Sequence, residues 1–258
     1  MTTGQPSAKL LYLDILAAAM LLTRIPVHWP EHETPETDRS YWAFPVIGVG
    51  VAAMAAIPAG LLVHYGMPGL AAALLALAGI AVVTGGLHQD GLADVADGLG
   101  GRDPQSRLRI MRDSSVGSYG ILALIFTTGI STACLAAIAA EGGMTLLHAM
   151  ITAAALSRAM MAVQRHVNAT PDETGLASMT GRPSATVAIS AVLLGSIIAI
   201  SFSGIGAAFM LVGAGLFVTW LLGRFLHSLI GGVNGDGLGA TQQLSETVML
   251  VILAMAAA

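Results

Sequence analysis

The chain has 258 residues, of which 55% are hydrophobic and 10% are charged. Soluble domains carry about 25% charged residues, so this composition excludes an ordinary soluble enzyme. It predicts an all-α, polytopic membrane bundle whose helices pack through small residues. The formal net charge of −4 provides no basic surface for DNA or RNA, and we expect no nucleic-acid partner.

The first forty residues contain no complete membrane span. A polar tail, residues 1–8, precedes an apolar run at 10–23 that is interrupted by Asp14. The run is shorter than the ~20 residues that a span requires, so it predicts a short, tilted or interfacial helix. Residues 28–41 are polar and acidic, which predicts a solvated loop.

Longer apolar runs occupy most of the remaining chain. They predict membrane spans at 43–63, 68–87, 119–140 and 144–163, and two more within 185–222 that separate near 201–206. Polar segments at 164–184 and 223–243 are predicted to be loops, and 244–258 to be a last apolar helix that falls short of a full crossing. We therefore expect residues 1–258 to form a single membrane-embedded catalytic domain with about six to eight membrane-associated helices.

Arginine is distributed unevenly among these predicted loops. The turns at 64–67, 141–143 and 201–206 contain neither Lys nor Arg. The segments on the other side carry Arg24, Arg39, Arg102, Arg107, Arg109, Arg112, Arg165, Arg182 and Arg224. Positively charged loops are retained in the cytoplasm, so the arginine-bearing end is predicted to be cytoplasmic.

The segment 85–101 concentrates acidic residues at this predicted cytoplasmic end. Asp90, Asp94 and Asp97 are spaced i, i+4, i+7, which on a helix places three carboxylates on one face. Such a cluster favours a divalent cation, typically Mg²⁺ completed by phosphate oxygens, although Asp is also at home in a solvated first turn. Gly91 and Gly98 weaken a helix, unless a phosphate or a neighbouring helix approaches the backbone closely.

Residues next to the acids are further candidates. His88, two residues before Asp90, is a candidate general base or substrate ligand; the alternative is a polar residue at the membrane interface. Asp113 is either a further metal ligand or a residue that orients Arg112.

Four arginines follow the acids and form a candidate phosphate-binding group: Arg102, Arg107, Arg109 and Arg112. Guanidinium groups pair with phosphate through parallel N–H donors; alternatively, these arginines only retain the loop in the cytoplasm. Arg112 is the preferred ligand because the glycine- and serine-containing segment 113–120 follows it directly.

Charged residues elsewhere could join the same site. Arg158 lies within a predicted span, where a charge needs a partner or a cavity, unless it snorkels to the nearer end. Arg165 begins a polar segment and is a candidate phosphate ligand. Asp236 belongs to a second Asp-Gly pair and predicts a second metal site or the completion of the first; Glu246 is a weaker candidate.

Motifs spread over residues 22–240 resemble a known family, the membrane-bound cobalamin synthases, or adenosylcobinamide-GDP ribazoletransferases. The matching segments stand in the expected order: Leu22-Thr-Arg-Ile-Pro26, Phe44-Pro-Val-Ile-Gly48, Thr84–Gly98, Ile110–Gly117, Ser157-Arg158, Arg165-His166 and Gly235–Ala240. The most specific is the motif His-x-Asp-Gly-x-x-Asp that begins at His88. Gln89 within it is a small departure from the family pattern.

The resemblance implies a reaction and a set of residue roles. The enzyme would join adenosylcobinamide-GDP to α-ribazole, or to its 5′-phosphate, and release GMP, a late step of cobalamin biosynthesis that requires Mg²⁺. Asp90, Asp94 and Asp97 would hold the metal, and the arginines would neutralise phosphate charge. His88, Asp94 or Asp113 would accept the proton of the attacking ribose hydroxyl.

The same resemblance implies a location and leaves some partners open. It implies a multi-pass protein of the bacterial inner membrane, in contact with lipid, whose active site faces the cytoplasm. A homo-oligomer, and association with other enzymes that assemble the nucleotide loop, stay open.

Three other functions are compatible with an acidic cluster in a membrane protein. A CDP-alcohol phosphotransferase usually shows an Ala-Arg pair where this chain has Ala93-Asp94, and a prenyltransferase needs two acidic motifs, of which Asp236 is weak support for the second. A cation-coupled transporter would bind its ions near the bilayer midplane, whereas these acids lie at a loop boundary.

Overall fold

The computed structural model describes residues 8–171 and 180–257. All regular elements within these ranges are helical, which confirms the all-α prediction. The α-helices are α1 (Ala8–Leu22), α2 (Thr37–Ser40), α3 (Phe44–His64), α4 (Gly69–Thr84), α5 (Leu87–Asp97), α6 (Pro104–Met111), α7 (Ser118–Ala140), α8 (Gly143–Val167), α9 (Ala185–Ile230) and α10 (Gly235–Ala257). Most of the predicted polar tail and the middle of the predicted 164–184 loop lie outside the described residues.

Five helical segments in the described ranges are long and apolar enough to cross a membrane: Thr37–His64, which contains α2 and α3, together with α7, α8, α9 and α10. The predicted spans at 43–63, 119–140 and 144–163 are thereby confirmed. The span predicted at 68–87 is shorter than expected, because α4 has 16 residues. It qualifies only together with Leu87–Gly100, which is bent by 90° from it.

Helix α9 is a hairpin of two helices, as the sequence predicts. Its 46 residues would measure roughly 70 Å if straight, but Gly204 adopts φ 81° and ψ 163° and breaks it. Phe202, just before the break, contacts His148 near the beginning of α8. Farther on, Gly223 packs against Gln164 near the end of α8, so the chain has reversed direction.

The prediction of a loop at 223–243 is wrong. Helix α9 continues to Ile230, and a short turn at 231–234 leads directly into α10. The polar side chains that suggested a loop are buried within the bundle, including Gln242 and Gln243. Helix α10 is consequently 23 residues long, not the short helix expected at 244–258.

Helix α8 forms the centre of the bundle and packs against α3, α9 and α10. Small residues permit the close approach of α3. A Cβ added to Gly48 would lie 2.4 Å from the Ala154 carbonyl oxygen, and one added to Gly60 would lie 2.7 Å from that of Gly143. Close packing through small residues is typical of membrane helices.

Helix α1 is attached to the bundle through the acid that interrupts its apolar run. Asp14 is 2% exposed. It accepts hydrogen bonds from Arg39 Nε and from Trp42 Nε1, both at 2.9 Å. The charge within this helix is therefore paired, which satisfies the requirement for a buried carboxylate.

Two consecutive glycines turn the chain between α4 and α5. Gly85 and Gly86 have φ values of 68° and 69°, a conformation that other residues rarely adopt. A side chain on Gly85 would also meet Arg24 Nε at 2.4 Å. After the turn, α5 packs against α10 and α7 and lies outside the five spanning segments.

The two ends of the bundle differ in charge. At one end His166 contacts the Pro183 carbonyl oxygen and Val233 N donates to the Ala169 carbonyl, which brings the end of α8 and both ends of α9 together. Helices α5 and α6 lie at this same end. The opposite end holds the α3–α4 turn, the α7–α8 turn and Gly204, and these turns contain neither Lys nor Arg.

Candidate active site

The predicted acidic helix is present as α5, and it lies directly against the first turn of α10. A Cβ added to Gly91 would lie 2.7 Å from the Asp236 carbonyl oxygen. One added to Gly239 would lie 3.4 Å from Gly91 Cα. The two glycines allow the backbones to approach, as the sequence suggested for Gly91, and this contact places Asp236 beside the acidic face of α5.

Carboxylates from both helices crowd at this contact. Burial, together with the neighbouring charges of Asp236, Asp90 and Asp97, raises the pKa of Asp94 to about 7. Asp236 also interacts electrostatically with Asp90 and with Arg112. The structure thus brings together Asp90, Asp94, Asp236 and one guanidinium group, and a cation between the acids would relieve their repulsion.

The acids at this contact are candidate ligands for a divalent cation such as Mg²⁺. Within the described residues, no three Asp, Glu, His or Cys side chains converge into a complete metal site. Mg²⁺ typically takes one or two carboxylates, and phosphate oxygens and water fill its octahedral shell. One or two of the carboxylates Asp90, Asp94 and Asp236 could hold such an ion when a substrate supplies the remaining ligands.

Asp97 faces a different structural element. Its Oδ2 accepts a hydrogen bond from Gly117 N at 2.7 Å, and its Oδ1 accepts one from Gly120 N at 2.8 Å. These N–H groups belong to the beginning of α7, where a negative charge is stabilising. Asp97 therefore holds α5 against the beginning of α7.

His88 lies beneath the acidic face and is 1% exposed. Its Nε2 has no hydrogen-bond partner among the described residues. The side chain lines a cavity that also reaches Asp90 and Asp236. His88 is thus enclosed beside the acids and is not exposed to solvent.

Arg158 is fully buried, so it does not snorkel. Its Nη1 donates to the Ala154 carbonyl oxygen at 3.1 Å and lies 3.8 Å from a carboxylate oxygen of Glu246. Glu246 also accepts from Gln242, whose Nε2 donates to Ser157 Oγ at 3.1 Å. Arg158 belongs to a polar network between α8 and α10 inside the bundle.

The other predicted arginines occupy three kinds of environment. Arg107 donates to the carbonyl oxygens of Gly101 and Leu229 at 3.1 and 2.9 Å, so it ties the α6 segment to the end of α9. Arg165 is 5% exposed and donates to the Asn168 carbonyl oxygen. Arg102, Arg109 and Arg112 are exposed. Of these three, Arg112 is the one that interacts electrostatically with Asp236.

Asp113 organises the connection that leads into α7. Its Oδ1 accepts hydrogen bonds from Ser115 N at 2.9 Å and Ser115 Oγ at 2.7 Å. These bonds lower the pKa of Asp113. The side chain is exposed and shares a shallow pocket with Asp97 and Tyr119.

Sequence reasoning missed Asn234, which fixes the position of Asp236. Asn234 Oδ1 accepts from Gly237 N at 3.0 Å, and its Nδ2 donates to Asp236 Oδ2 at 2.8 Å. Asn before a helix is a typical N-cap residue. That signal was present in the sequence, but the glycine-rich surroundings favoured a loop.

The family model and the curated relatives that match this chain point to the same family. The family model described as "Cobalamin-5-phosphate synthase" matches residues 14–254. An adenosylcobinamide-GDP ribazoletransferase of Sinorhizobium medicae is 39% identical over 94% of this chain and 96% of that protein. Proteins with the same name from Azorhizobium caulinodans and Bradyrhizobium diazoefficiens are 38% and 36% identical, over 92% and 98% of this chain and 94% and 98% of their own lengths.

No solved structure matches the chain significantly. The sequence matches run through α5, the connection to α7 and the first turn of α10, the same segments that meet at the acidic face. The extent of the family match and the identities above establish the relationship. This chain belongs to the cobalamin-5-phosphate synthase family.

Proposed function

We propose that this protein is a transferase that joins adenosylcobinamide-GDP to α-ribazole, or to α-ribazole 5′-phosphate, in a late step of cobalamin biosynthesis. The observation that carries the proposal is the meeting of Asp90 and Asp94 with Asp236, beside Arg112, in a member of this family. The family match favours this activity over a CDP-alcohol phosphotransferase, a prenyltransferase or a transporter.

The proposed reaction is a substitution at phosphorus. A ribose hydroxyl of the ribazole attacks the phosphorus on the cobinamide side of the diphosphate. The new bond joins that phosphorus to the ribose oxygen, the diphosphate P–O bond breaks, and GMP leaves. The hydroxyl proton passes to a base. Reactions of this type depend mainly on positioning and on neutralisation of charge.

The acids and Arg112 divide these tasks. Asp90 and Asp236 are the proposed Mg²⁺ ligands, and Mg²⁺ would neutralise the diphosphate and favour departure of GMP. Arg112, at the end of α6, is placed to pair with phosphate oxygens. The exposed Arg102 and Arg109 belong to the same segment and are further candidates for phosphate contact.

Asp94 is the proposed proton acceptor among the three sequence candidates. Its half-buried carboxylate is close enough to Asp90 and Asp236 for their charges to raise its pKa. By contrast, His88 is enclosed beneath the acids, and the Asp113 carboxylate holds Ser115. Asp97 has a positioning role in this proposal, because both of its oxygens are bound to the backbone of α7.

We also propose that the protein spans the bacterial inner membrane with this site in the cytoplasm. The arginine-bearing end contains α5, α6 and the beginning of α10, whereas the turns of the opposite end contain neither Lys nor Arg. This asymmetry supports a cytoplasmic active site, where nucleotides and Mg²⁺ are available. A reporter fused within the α5–α6 connection should be active in the cytoplasm, and one fused at 142 should be inactive.

The activity is tested with purified, detergent-solubilised protein. Incubation with adenosylcobinamide-GDP, α-ribazole and Mg²⁺ should yield GMP and a cobalamin product in equal amounts, and EDTA should abolish both. Absence of product from folded protein, with an active relative as the control, would contradict the proposal. Product formation that is unaffected by EDTA would remove Mg²⁺ from it.

A further inference from the structure

A cavity lies directly beneath the acidic face, between α1, α3, α5, α8 and α10. Its volume is about 170 Å³, which is smaller than the ~300–1,000 Å³ of a site for a whole drug-sized ligand, so it suits one ring system of a substrate. Its walls are largely apolar and include Leu21, Leu22, Phe44, Leu87, Met161 and Leu238. Asp90 and Asp236 line the same cavity.

One wall of the cavity is aromatic. The rings of Tyr41 and Phe44 stack with their centroids 4.4 Å apart and their planes inclined by 28°. Both residues are nearly inaccessible to solvent, at 1% and 3% exposure. Such a wall favours a flat aromatic ligand over an aliphatic chain of the same size.

The polar groups of the cavity are few, and one of them has no partner. The Tyr41 hydroxyl is 3.0 Å from Thr180 Oγ1 and is thereby satisfied. The two carboxylates, Asp90 and Asp236, belong to the acidic face above. His88 remains: it is 1% exposed, and its Nε2 has no hydrogen-bond partner among the described residues. An unpaired buried polar atom is costly, so His88 indicates a ligand that completes its hydrogen bond.

We infer that this cavity binds the aromatic base of the ribazole substrate, with His88 Nε2 donating a hydrogen bond to the unsubstituted ring nitrogen of that base. The inference rests on the proposed function. The base of α-ribazole is a dimethyl-substituted benzimidazole, a flat bicycle with one free acceptor nitrogen and no exocyclic donor. The buried donor His88 Nε2 matches the single acceptor nitrogen, and the aromatic wall matches the flat ring system.

The guanine of the other substrate does not match. Guanine carries several donors and acceptors on its edges, and the apolar walls would leave most of them unpaired, which is unfavourable. The corrin macrocycle is too large for a cavity of this volume. The cavity therefore discriminates between the two substrates and assigns the guanosine and corrinoid parts to other surfaces.

This placement also explains the position of the cavity. A base between the aromatic wall and His88 would direct its ribose towards Asp90 and Asp236, the carboxylates that line the same cavity. The attacking hydroxyl would then lie beside the acids that hold the diphosphate. Such preorganisation supplies much of the rate enhancement in reactions that depend on positioning.

A ligand and its deaza analogue test the hydrogen bond directly. The analogue is the corresponding α-linked indole riboside, in which carbon replaces the acceptor nitrogen. Binding of each to purified full-length protein is measured by equilibrium dialysis, without Mg²⁺ and without the corrinoid. Wild type should prefer α-ribazole by about ten-fold. His88→Leu should abolish the preference and retain affinity for the indole riboside, whereas His88→Gln, which keeps a donor, should restore part of it.

Equal binding of the two ligands by wild type would overturn the inference, as would an undiminished preference in His88→Leu. A second variant tests the cavity itself. Leu238→Trp fills it and should raise the KM for α-ribazole at least ten-fold while the KM for adenosylcobinamide-GDP changes less than two-fold. The matched control, Leu61→Trp, fills a separate cavity at the opposite end of the bundle and should leave both constants unchanged. Equal increases in both constants for Leu238→Trp would contradict selective base binding.

Turnover of wild type separates the two proposals. If wild type forms product but binds both ribosides equally, the function stands and the base-binding inference fails. If wild type prefers α-ribazole but forms no product with adenosylcobinamide-GDP, the cavity is supported and the proposed transfer fails.

Discussion

Two glycine contacts at opposite ends of the bundle use the same packing for different purposes. At the end without arginine, Gly60 and Gly143 bring α3 and α8 together; a Cβ on Gly143 would lie 2.2 Å from the Gly60 carbonyl oxygen. At the other end, Gly91 brings α5 against Asp236 of α10 at a comparable distance. The first contact joins helices that carry no acidic cluster, whereas the second gathers carboxylates from two distant parts of the sequence.

The difference shows how a membrane protein builds a charged site. Close packing through small residues stabilises helix pairs wherever it occurs. It becomes functional where polar side chains flank the contact, because the backbone approach then sets the distance between carboxylates. We therefore expect the two ends of the bundle to respond differently to equivalent substitutions.

The largest effect is expected from the acids. Asp90→Asn and Asp236→Asn should each lower kcat by about 10²–10³-fold, since each removes charge that holds Mg²⁺ near the diphosphate. The product is measured with saturating substrates in detergent. Glu141→Gln, an exposed carboxylate at the opposite end, is the control and should change kcat less than two-fold. Near-normal turnover in Asp236→Asn would remove α10 from the site.

The glycine contacts provide the next largest effect. Gly91→Ala should lower kcat by about 10²-fold, because displacement of the acids by even ~1 Å misplaces the reacting groups. Gly143→Ala creates an even closer contact, 2.2 Å against 2.7 Å for Gly91, but should act on stability, lowering the free energy of unfolding by about 1–3 kcal/mol. Turnover per folded molecule and thermal unfolding are compared for both variants. A normal kcat in Gly91→Ala would show that the α5–α10 distance is unimportant.

A smaller effect is expected at Arg112, the proposed phosphate ligand. Arg112→Ala should raise the KM for adenosylcobinamide-GDP about ten-fold, as expected for loss of one charge-assisted hydrogen bond. The KM for α-ribazole should stay within two-fold of wild type. Arg224→Ala, an exposed arginine at the same end, controls for the loss of positive charge. Equal effects of the two variants would mean that Arg112 acts only through general electrostatics.

The smallest effect on chemistry is expected at Asp97. Asp97→Asn replaces one of two acceptors for the α7 backbone with a donor, so it should lower the free energy of unfolding by about 1–3 kcal/mol. Its kcat, measured below the unfolding temperature, should fall less than ten-fold. Unchanged stability combined with a loss as large as that of Asp90→Asn would instead indicate that Asp97 binds the metal.

Most of the helices could be predicted because apolar runs and turn residues are local signals. The break at Gly204 followed from the cluster of small and polar residues at 201–206. The acidic helix was predicted from the spacing of Asp90, Asp94 and Asp97. Its separation from α4 by a 90° bend depends on Gly85 and Gly86 together, and their pair of positive φ angles was not predicted.

The start of α10 could not be predicted in the same way. Gln242 lies near the end of the polar segment 223–243, which favoured a loop because no partner was visible, and Glu246 lies one turn farther on. Their partners, Ser157 and Arg158, lie about ninety residues earlier in the chain and become visible only when α8 and α10 pack. For the same reason, the sequence could list Asp236 as a candidate ligand but could not place it beside Asp90.

The separation of Asp97 from the other acids has a similar origin. Helical spacing places all three acids of α5 on one face, but it does not show which element each acid contacts. The beginning of α7 lies beside Asp97 and supplies two N–H donors from Gly117 and Gly120. A Cβ on Gly120 would lie 2.4 Å from Asp97 Oδ2, so this glycine permits the contact that distinguishes Asp97.

Binding of Mn²⁺ as a substitute for Mg²⁺ tests the central claim, that acids from α5 and α10 form one metal site, most directly. Free Mn²⁺ is measured by electron paramagnetic resonance in the presence of purified protein and adenosylcobinamide-GDP. We expect Asp90→Asn and Asp236→Asn each to weaken Mn²⁺ binding at least ten-fold, and Asp97→Asn to change it less than two-fold. Wild-type affinity in Asp236→Asn would contradict the account.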